Sequence, residues 1–146
     1  MAIAAEKSSR TQLPGRALGL EVETLPELIR RVDRGFGYRA LESMAARSGI
    51  VVAELASTVG IPQRTLARRK VSGRLTPEES ERLLRISMVF ESALELFEGD
   101  RAAAVKWLHT PRPVFDGQTP MAYSRTELGA REVDNLIGRL ERGVFS

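Results

Sequence analysis

Apolar residues recur every three or four positions through most of this chain, which is the spacing that places them on one face of an α-helix. One such run predicts a helix over residues 51–59, with its apolar face at Val51, Val52, Leu55 and Val59. Another predicts a helix from Thr126 to Arg142, with its face at Val133, Leu136, Ile137 and Leu140. No segment favours a strand, so we predict an all-α fold.

Caps and glycines mark the ends of the predicted helices. Thr24 stands three residues before Glu27, and Thr76 three before Glu79, so each threonine is expected to open a helix with a capping box. The remaining predicted helices cover residues 39–47, 62–71, 77–98 and 101–108. Residues before about Leu20 show no periodicity, and we predict a flexible tail over residues 1–22.

The amino-acid composition excludes several kinds of functional site. The chain has 146 residues and no cysteine, which excludes disulfides, thiolate metal sites and cysteine nucleophiles. It has no apolar run that could cross a bilayer and no signal-peptide core, so we expect a cytoplasmic protein without a membrane partner. The formal net charge is only +3, so a basic surface has to come from local clustering.

The densest basic cluster accompanies a predicted helix-turn-helix. Gly60 separates the helix over 51–59 from the next one and tolerates the positive φ that a tight turn needs. Ala56 is small enough for the two helices to cross closely. Four apolar residues are placed to lock the pair together: Leu55, Val59, Ile61 and Leu66.

The second helix of this pair carries the charges. With Leu66 facing the core, Arg64 and Arg68 point almost directly away from it, at about 100° per residue. Exposed arginines on such a helix contact guanine edges or phosphates in a major groove. The predicted DNA-binding residues are Gln63, Arg64, Thr65, Arg68, Arg69 and Lys70. The alternative is a solvated helix face, and we favour DNA binding because spacing and turn chemistry agree with the charge.

The helix predicted from Pro77 to Glu98 is apolar around much of its circumference. Such a helix is buried on several sides, either in a domain centre or in a dimer interface. We predict a homodimer to which this helix contributes. The residues expected partly at the interface are Phe90, Leu94 and Phe97.

Two segments resemble a known family. The sequence VGIPQRTLARRKVSGRLTPEES, residues 59–80, is similar to the N-terminal part of Xre-type antitoxins of bacterial toxin–antitoxin pairs. Residues 107–146 resemble the toxin-binding domain shared by Xre, MbcA and ParS antitoxins, and the two motifs occur in the expected order. The chain departs from the pattern at Phe115 and Met121-Ala122-Tyr123, where aliphatic residues are more usual, and at Arg69, where a helix-turn-helix usually has an apolar residue.

The resemblance implies a helix-turn-helix DNA-binding domain over residues 23–90 and a small helical toxin-binding domain over residues 91–146. Such proteins look like type II antitoxins of RES-domain toxins, which resemble ADP-ribosyltransferases and deplete NAD+. The antitoxin is expected to be dimeric, to hold the toxin inactive and to repress its own operon by binding operator DNA. The alternative function is a helix-turn-helix transcriptional regulator without a toxin partner.

The carboxy-terminal end places apolar residues after a helix stop. Val144 and Phe145 follow Gly143, and they either fold back on the last helix or dock on a partner. The resemblance favours docking at the entrance of the toxin's active site. The predicted toxin-binding residues are Arg139, Arg142, Gly143, Val144, Phe145 and Ser146. For the two arginines, a solvated helix end favoured by the helix dipole is an equal alternative.

Residues for catalysis are not evident in the sequence. It has no Gly-rich phosphate loop, metal-ligand cluster or nucleophile–base pair, so we predict neither an enzyme nor a cofactor. Trp107 is expected in the core. His109, the only histidine, is expected at a helix cap or on the surface.

Overall fold

The structure is a computed structural model that describes residues 13–143, and its α-helical elements confirm the predicted fold class. Eight α-helices follow one another within this range: α1 (Leu25–Arg34), α2 (Arg39–Ser48), α3 (Val52–Thr58), α4 (Gln63–Ser72), α5 (Pro77–Leu96), α6 (Arg101–Leu108), α7 (Pro120–Tyr123) and α8 (Glu127–Glu141). Two short 3-10 turns accompany them, Arg16–Leu18 and Pro113–Phe115. None of the helices described is long and apolar enough to pass through a bilayer.

Threonine caps start α1 and α5, as predicted. At Thr76 the hydroxyl oxygen accepts from the Glu79 N–H at 3.1 Å, and the Glu79 carboxylate accepts from the Thr76 N–H at 2.9 Å, so this capping box is complete. At Thr24 only half of the predicted box forms. The Thr24 hydroxyl accepts from the Glu27 N–H, but the Glu27 carboxylate accepts from the Glu23 N–H instead of the cap residue's own.

The long helix α5 is the centre of the molecule and belongs to both halves of the chain. It packs against α1, α2 and the first 3-10 turn on one side and against α6 and α8 on the other. Phe90 is 2% exposed inside this core, so its predicted place at a dimer interface is wrong. Most of the apolar surface of α5 is covered within the chain itself, although Met88 is 45% exposed. Leu94 and Phe97 are half-buried and pack against the same core.

The segment before α1 is built into the fold. A flexible tail was predicted over residues 1–22, and this prediction is wrong for the part that the structure describes, because Ala17 and Leu18 are buried. The Ala17 N–H donates to the Glu91 carboxylate at 3.1 Å, and the Ser43 hydroxyl donates to the Ala17 carbonyl at 3.1 Å. Burial raises the pKa of the Glu91 carboxyl, although the Ala17 N–H favours its charged form. A single 3-10 turn has no helical periodicity, so the apolar pattern did not indicate it.

Candidate nucleic-acid interface and carboxy-terminal surface

Helices α3 and α4 form the predicted helix-turn-helix. The turn passes through Gly60 at φ 78°, and the Ala56 carbonyl accepts from the Ile61 N–H at 2.8 Å, which joins the two helices directly. Ala56 is buried where the helices meet. Three of the apolar residues expected to lock the pair are buried, and Leu66 is half-buried against the core. The apolar side of α4 is therefore the predicted one.

Helix α4 presents its other side to solvent and has no fully buried residue. Gln63, Arg64 and Arg68 are exposed, and Thr65 is half-buried. The Arg68 guanidinium donates to the Thr65 hydroxyl at 3.3 Å. Within residues 13–143, neither Arg64 nor Arg68 has an ion-pair partner. Four of the six predicted DNA-binding residues thus lie together on the first two turns of α4.

Arg69 is half-buried and pairs with Glu79 of α5. Its Nε and Nη2 atoms donate to the two carboxylate oxygens of Glu79 at 2.8 Å and 3.1 Å. Burial alone raises the pKa of Glu79, but the hydrogen bonds from Arg69 and from the Thr76 N–H outweigh it, and the pKa lies below its usual value. Contact of Arg69 with DNA stays a prediction, and it has to leave the pair with Glu79 in place, because breaking the pair would strand a buried carboxylate charge. The pair also explains a polar residue at a position that is usually apolar.

Lys70, the last of the six predicted DNA-binding residues, is exposed. It lines an open cleft together with Arg31 and Arg39. The cleft lies between the end of α4 and the start of α2. Sequence reasoning placed Lys70 in the DNA-binding set but missed its two neighbours, because they belong to helices that are distant along the chain.

The carboxy-terminal half packs around Trp107. This side chain is 7% exposed, which confirms its predicted place in the core. The Arg112 guanidinium lies over the Trp107 ring at 4.7 Å from its centroid, and burial lowers the pKa of Arg112. Phe115 stacks on Tyr123 with 4.7 Å between ring centroids. Two departures from the family pattern therefore compensate each other, since the two aromatic rings pack as a pair.

His109 connects the two halves of the chain. It is the C-cap residue of α6, where its Nδ1 lies 2.8 Å from the Val105 carbonyl and its Nε2 hydrogen-bonds the Glu54 carboxylate of α3. Both ring nitrogens face acceptors, so the doubly protonated ring satisfies both. Partial burial lowers the pKa of His109, but the hydrogen bonds to Glu54 and Val105 outweigh it and the pKa is raised.

The predicted toxin-binding residues begin at the end of α8. Arg139 is half-buried, and Arg142 and Gly143 are exposed. Neither arginine forms an ion pair within the range that the structure describes. Val144, Phe145 and Ser146 lie outside the described residues.

Comparison with known proteins identifies both halves. The model of the antitoxin Xre-like helix-turn-helix domain matches residues 27–88. The model of the antitoxin Xre/MbcA/ParS C-terminal toxin-binding domain matches residues 92–143. The two matches meet inside α5, the helix that both halves share.

Curated relatives match along most of their length. An antitoxin Xre from Yersinia enterocolitica is 39% identical over 140 residues, which is 95% of each chain. An antitoxin Xre from Photorhabdus laumondii is 31% identical over 132 residues, which is 90% of this chain and 89% of the relative. An antitoxin Xre from Pseudomonas putida is 30% identical over 118 residues, which is 80% of this chain and 72% of the relative.

Proposed function

The chain belongs to the Xre family of antitoxins, and we propose that it neutralises a RES-domain toxin that depletes NAD+ and binds the operator DNA of its own operon. The tandem match to a helix-turn-helix domain and a toxin-binding domain carries this proposal. These are the domains of a type II antitoxin, and neither is enzymatic. In a regulator without a toxin partner the carboxy-terminal half would serve only dimerisation, whereas residues 92–143 match a toxin-binding domain.

The DNA-binding part of the proposal rests on α4. Its first two turns expose Gln63, Arg64 and Arg68 on a helix that is fixed to the core from the opposite side. Charged donors on a rigid helix at the surface are suited to base edges and phosphates in a major groove. Repression follows if the operator overlaps the promoter of the toxin–antitoxin operon.

The neutralising part of the proposal uses the end of α8. Arg139, Arg142 and residues 143–146 are proposed to occupy the entrance of the toxin's active site. The two cationic side chains have no ion-pair partner in the described chain, so they are available to acidic groups on a partner. The sequence resemblance supports RES as the toxin class, and a segment in the entrance would exclude a dinucleotide substrate.

We also propose a homodimer, in which two-fold symmetry would match a palindromic operator. Phe90 no longer belongs to its interface, but Leu94 and Phe97 remain candidates because each is half-buried near the end of α5. Sedimentation of the full chain at micromolar concentration, free and on operator DNA, tests this. A monomer in both conditions contradicts the homodimer and leaves the antitoxin proposal intact.

Co-expression with the product of the neighbouring gene tests the function as a whole. We expect one partner to co-purify, and we expect cells that express this partner alone to stop growing and lose NAD+. Adding the full chain should restore both growth and the NAD+ level. The partner could instead stop growth without lowering NAD+, and the chain could relieve that arrest. This outcome would contradict only the proposal that the toxin belongs to the RES class. Failure to bind or protect against the neighbouring product would contradict neutralisation.

A further inference from the structure

A second basic surface lies beside the carboxy-terminal end of α4. Two adjoining clefts of about 760 and 560 Å³ open there, and Arg31 and Gly37 line both of them. The cationic side chains on their walls are Arg31, Arg34, Arg39, Lys70 and Arg74. They come from α1, α2, α4 and the loop after α4, so no single segment of the sequence displays this cluster.

A pair of backbone hydrogen bonds builds the surface. The Tyr38 N–H donates to the Gly73 carbonyl at 2.9 Å, and the Leu75 N–H donates to the Phe36 carbonyl at 2.9 Å. The loop between α1 and α2 is thereby fixed against the loop between α4 and α5. The Arg74 guanidinium donates from Nη1 to the carbonyl of Gly35 at 2.8 Å, which holds this cation beside the end of α1.

The positive charge of this cluster is not neutralised by ion pairs within the part of the chain that the structure describes. None of the five cationic side chains forms an ion pair with another residue of the described range. Among the described residues, two acidic side chains, Glu21 and Glu42, line the larger cleft and none lines the smaller one. Unpaired cations gathered from four segments repel one another, and an anionic partner would relieve this repulsion.

The shape and lining of the clefts favour an extended polyanion. The aromatic residue on the wall, Tyr38, is 8% exposed, so it offers no face on which a base or nucleotide could stack. The cations instead lie along an open surface that continues from α4 through Lys70. Phosphate oxygens spaced along a DNA backbone are the matching ligand, and such contacts position a protein without reading sequence.

We infer that the surface formed by Arg31, Arg34, Arg39, Lys70 and Arg74 binds the phosphate backbone of the operator next to the bases contacted by α4. This inference rests on the proposed binding of DNA by α4. It extends the DNA interface from α4 to this five-residue basic surface, which includes the end of α1 and is called the clamp below. The clamp adds affinity for any duplex and orients α4 on its site.

Salt-dependent binding of the full chain tests the clamp. The variants are Arg34→Gln, which is at an exposed position, and the double variant Arg31→Gln/Arg34→Gln. The control is Arg30→Gln/Arg131→Gln, which removes the same charge from exposed residues that line neither cleft. Dissociation constants are measured at several salt concentrations on a duplex from upstream of the operon and on an unrelated duplex of equal length. Thermal unfolding checks that each variant is folded.

We expect the double variant to bind both duplexes about tenfold more weakly or worse at low salt. The slope of log affinity against log salt should fall by about one for each lost phosphate contact, so by about two for the double variant and one for Arg34→Gln. The control should keep the wild-type slope. If Arg31→Gln/Arg34→Gln does not fold, the salt dependence of DNA binding by Arg34→Gln alone tests the inference.

The remaining outcomes overturn the inference in different ways. A wild-type slope in the clamp variants, with weakened binding in Arg64→Ala, shows that α4 binds DNA without the clamp. Normal DNA binding combined with lost co-purification of the toxin shows that the surface serves the protein partner instead. Absence of DNA binding by the wild-type chain, both free and with its toxin, removes the DNA-binding proposal together with the clamp.

Discussion

Arg69 and Glu79 fix α4 to the central helix α5 through a single carboxylate. Oε1 of Glu79 accepts from Arg69 Nε at 2.8 Å and from the Thr76 N–H at 2.9 Å, while Oε2 accepts from Arg69 Nη2 at 3.1 Å. The residue that caps α5 therefore also sets the orientation of α4. The position of the side chains proposed to contact DNA depends on a contact on the opposite side of their helix.

Replacing Arg69 with leucine is expected to destabilise the domain. Glu79 is 6% exposed in the wild-type fold, and in the Arg69→Leu variant its carboxylate keeps the Thr76 N–H but loses both hydrogen bonds from Arg69. Losing charged hydrogen bonds of this kind costs about 1.5–3 kcal/mol. The control is Arg68→Leu on the exposed side of α4, where surface substitutions stay within about 0.5 kcal/mol. Urea unfolding of the two variants measures the difference. Equal free energies of unfolding for the two variants would show that the pair of Arg69 and Glu79 contributes little to stability.

The same pair shows which features the sequence could predict. Thr76 and Glu79 were recognised as a capping box because a box is local, with its partners three residues apart. The hydrogen bonds from Arg69 to Glu79 join two helices across a turn. No regular spacing of residues along the sequence predicts such a pair. Phe90 was placed at an interface for a related reason. An apolar face predicts burial, but only the packing of α6 and α8 shows that the chain itself covers it.

Alanine at Arg64 or Arg68 is expected to weaken operator binding. Each exposed guanidinium that reads a base should cost about 1–3 kcal/mol of binding free energy when removed. The fold and the toxin complex should be unchanged, because neither side chain packs on the core. Titration of a labelled operator at fixed salt gives the affinities, and co-purification with the toxin is the control. Wild-type affinity in the double variant would remove α4 from the interface.

The contact between His109 and Glu54 predicts a stability that depends on pH near neutrality. The folded-state pKa of His109 is raised above the usual histidine value of about 6.5. The contribution to stability is therefore fully present below about pH 6.5 and is lost as pH rises through the folded pKa. Since His109 is the only histidine, the His109→Gln variant isolates this effect. Urea midpoints of wild type and variant, measured across this range, should converge as pH rises. A constant difference between the urea midpoints of wild type and variant across this pH range would show that the pair of His109 and Glu54 does not contribute in this way.

Gly129 and Gly138 in α8 are expected to respond to alanine with opposite signs. A Cβ at Gly129 would lie 1.7 Å from the Tyr123 carbonyl oxygen, so Gly129→Ala must separate α7 from α8 and destabilise the toxin-binding half. A Cβ at Gly138 meets only the end of the exposed Arg142 side chain at 3.3 Å, which can move aside. Gly138→Ala should therefore stabilise the helix by up to about 1 kcal/mol. The midpoints of thermal unfolding of the two variants are compared with that of the wild type. Equal changes in the midpoint would contradict the close contact at Gly129.

Deleting residues 144–146 is expected to weaken or abolish protection from the toxin while sparing DNA binding. Burial of Phe145 on a partner would contribute about 1.5–3 kcal/mol, and each 1.4 kcal/mol corresponds to a tenfold change in affinity. The deletion lies far along the chain from α4, so operator affinity serves as the internal control. Growth and NAD+ are measured in cells that express toxin and antitoxin at matched levels.

A second variant separates the end of the chain from the rest of the toxin-binding half. Val114 is 55% exposed in the 3-10 turn between α6 and α7, so Val114→Asp adds a charge to that surface without entering the core. If the end of the chain is the inhibitory element, the deletion removes protection and Val114→Asp retains it. The reverse result, with full protection by the truncated chain and loss in Val114→Asp, assigns inhibition to the surface formed by residues 107–123. The toxin would then be blocked by a folded face supported from below by the stacked Phe115 and Tyr123 rings, because the segment after α8 would be dispensable.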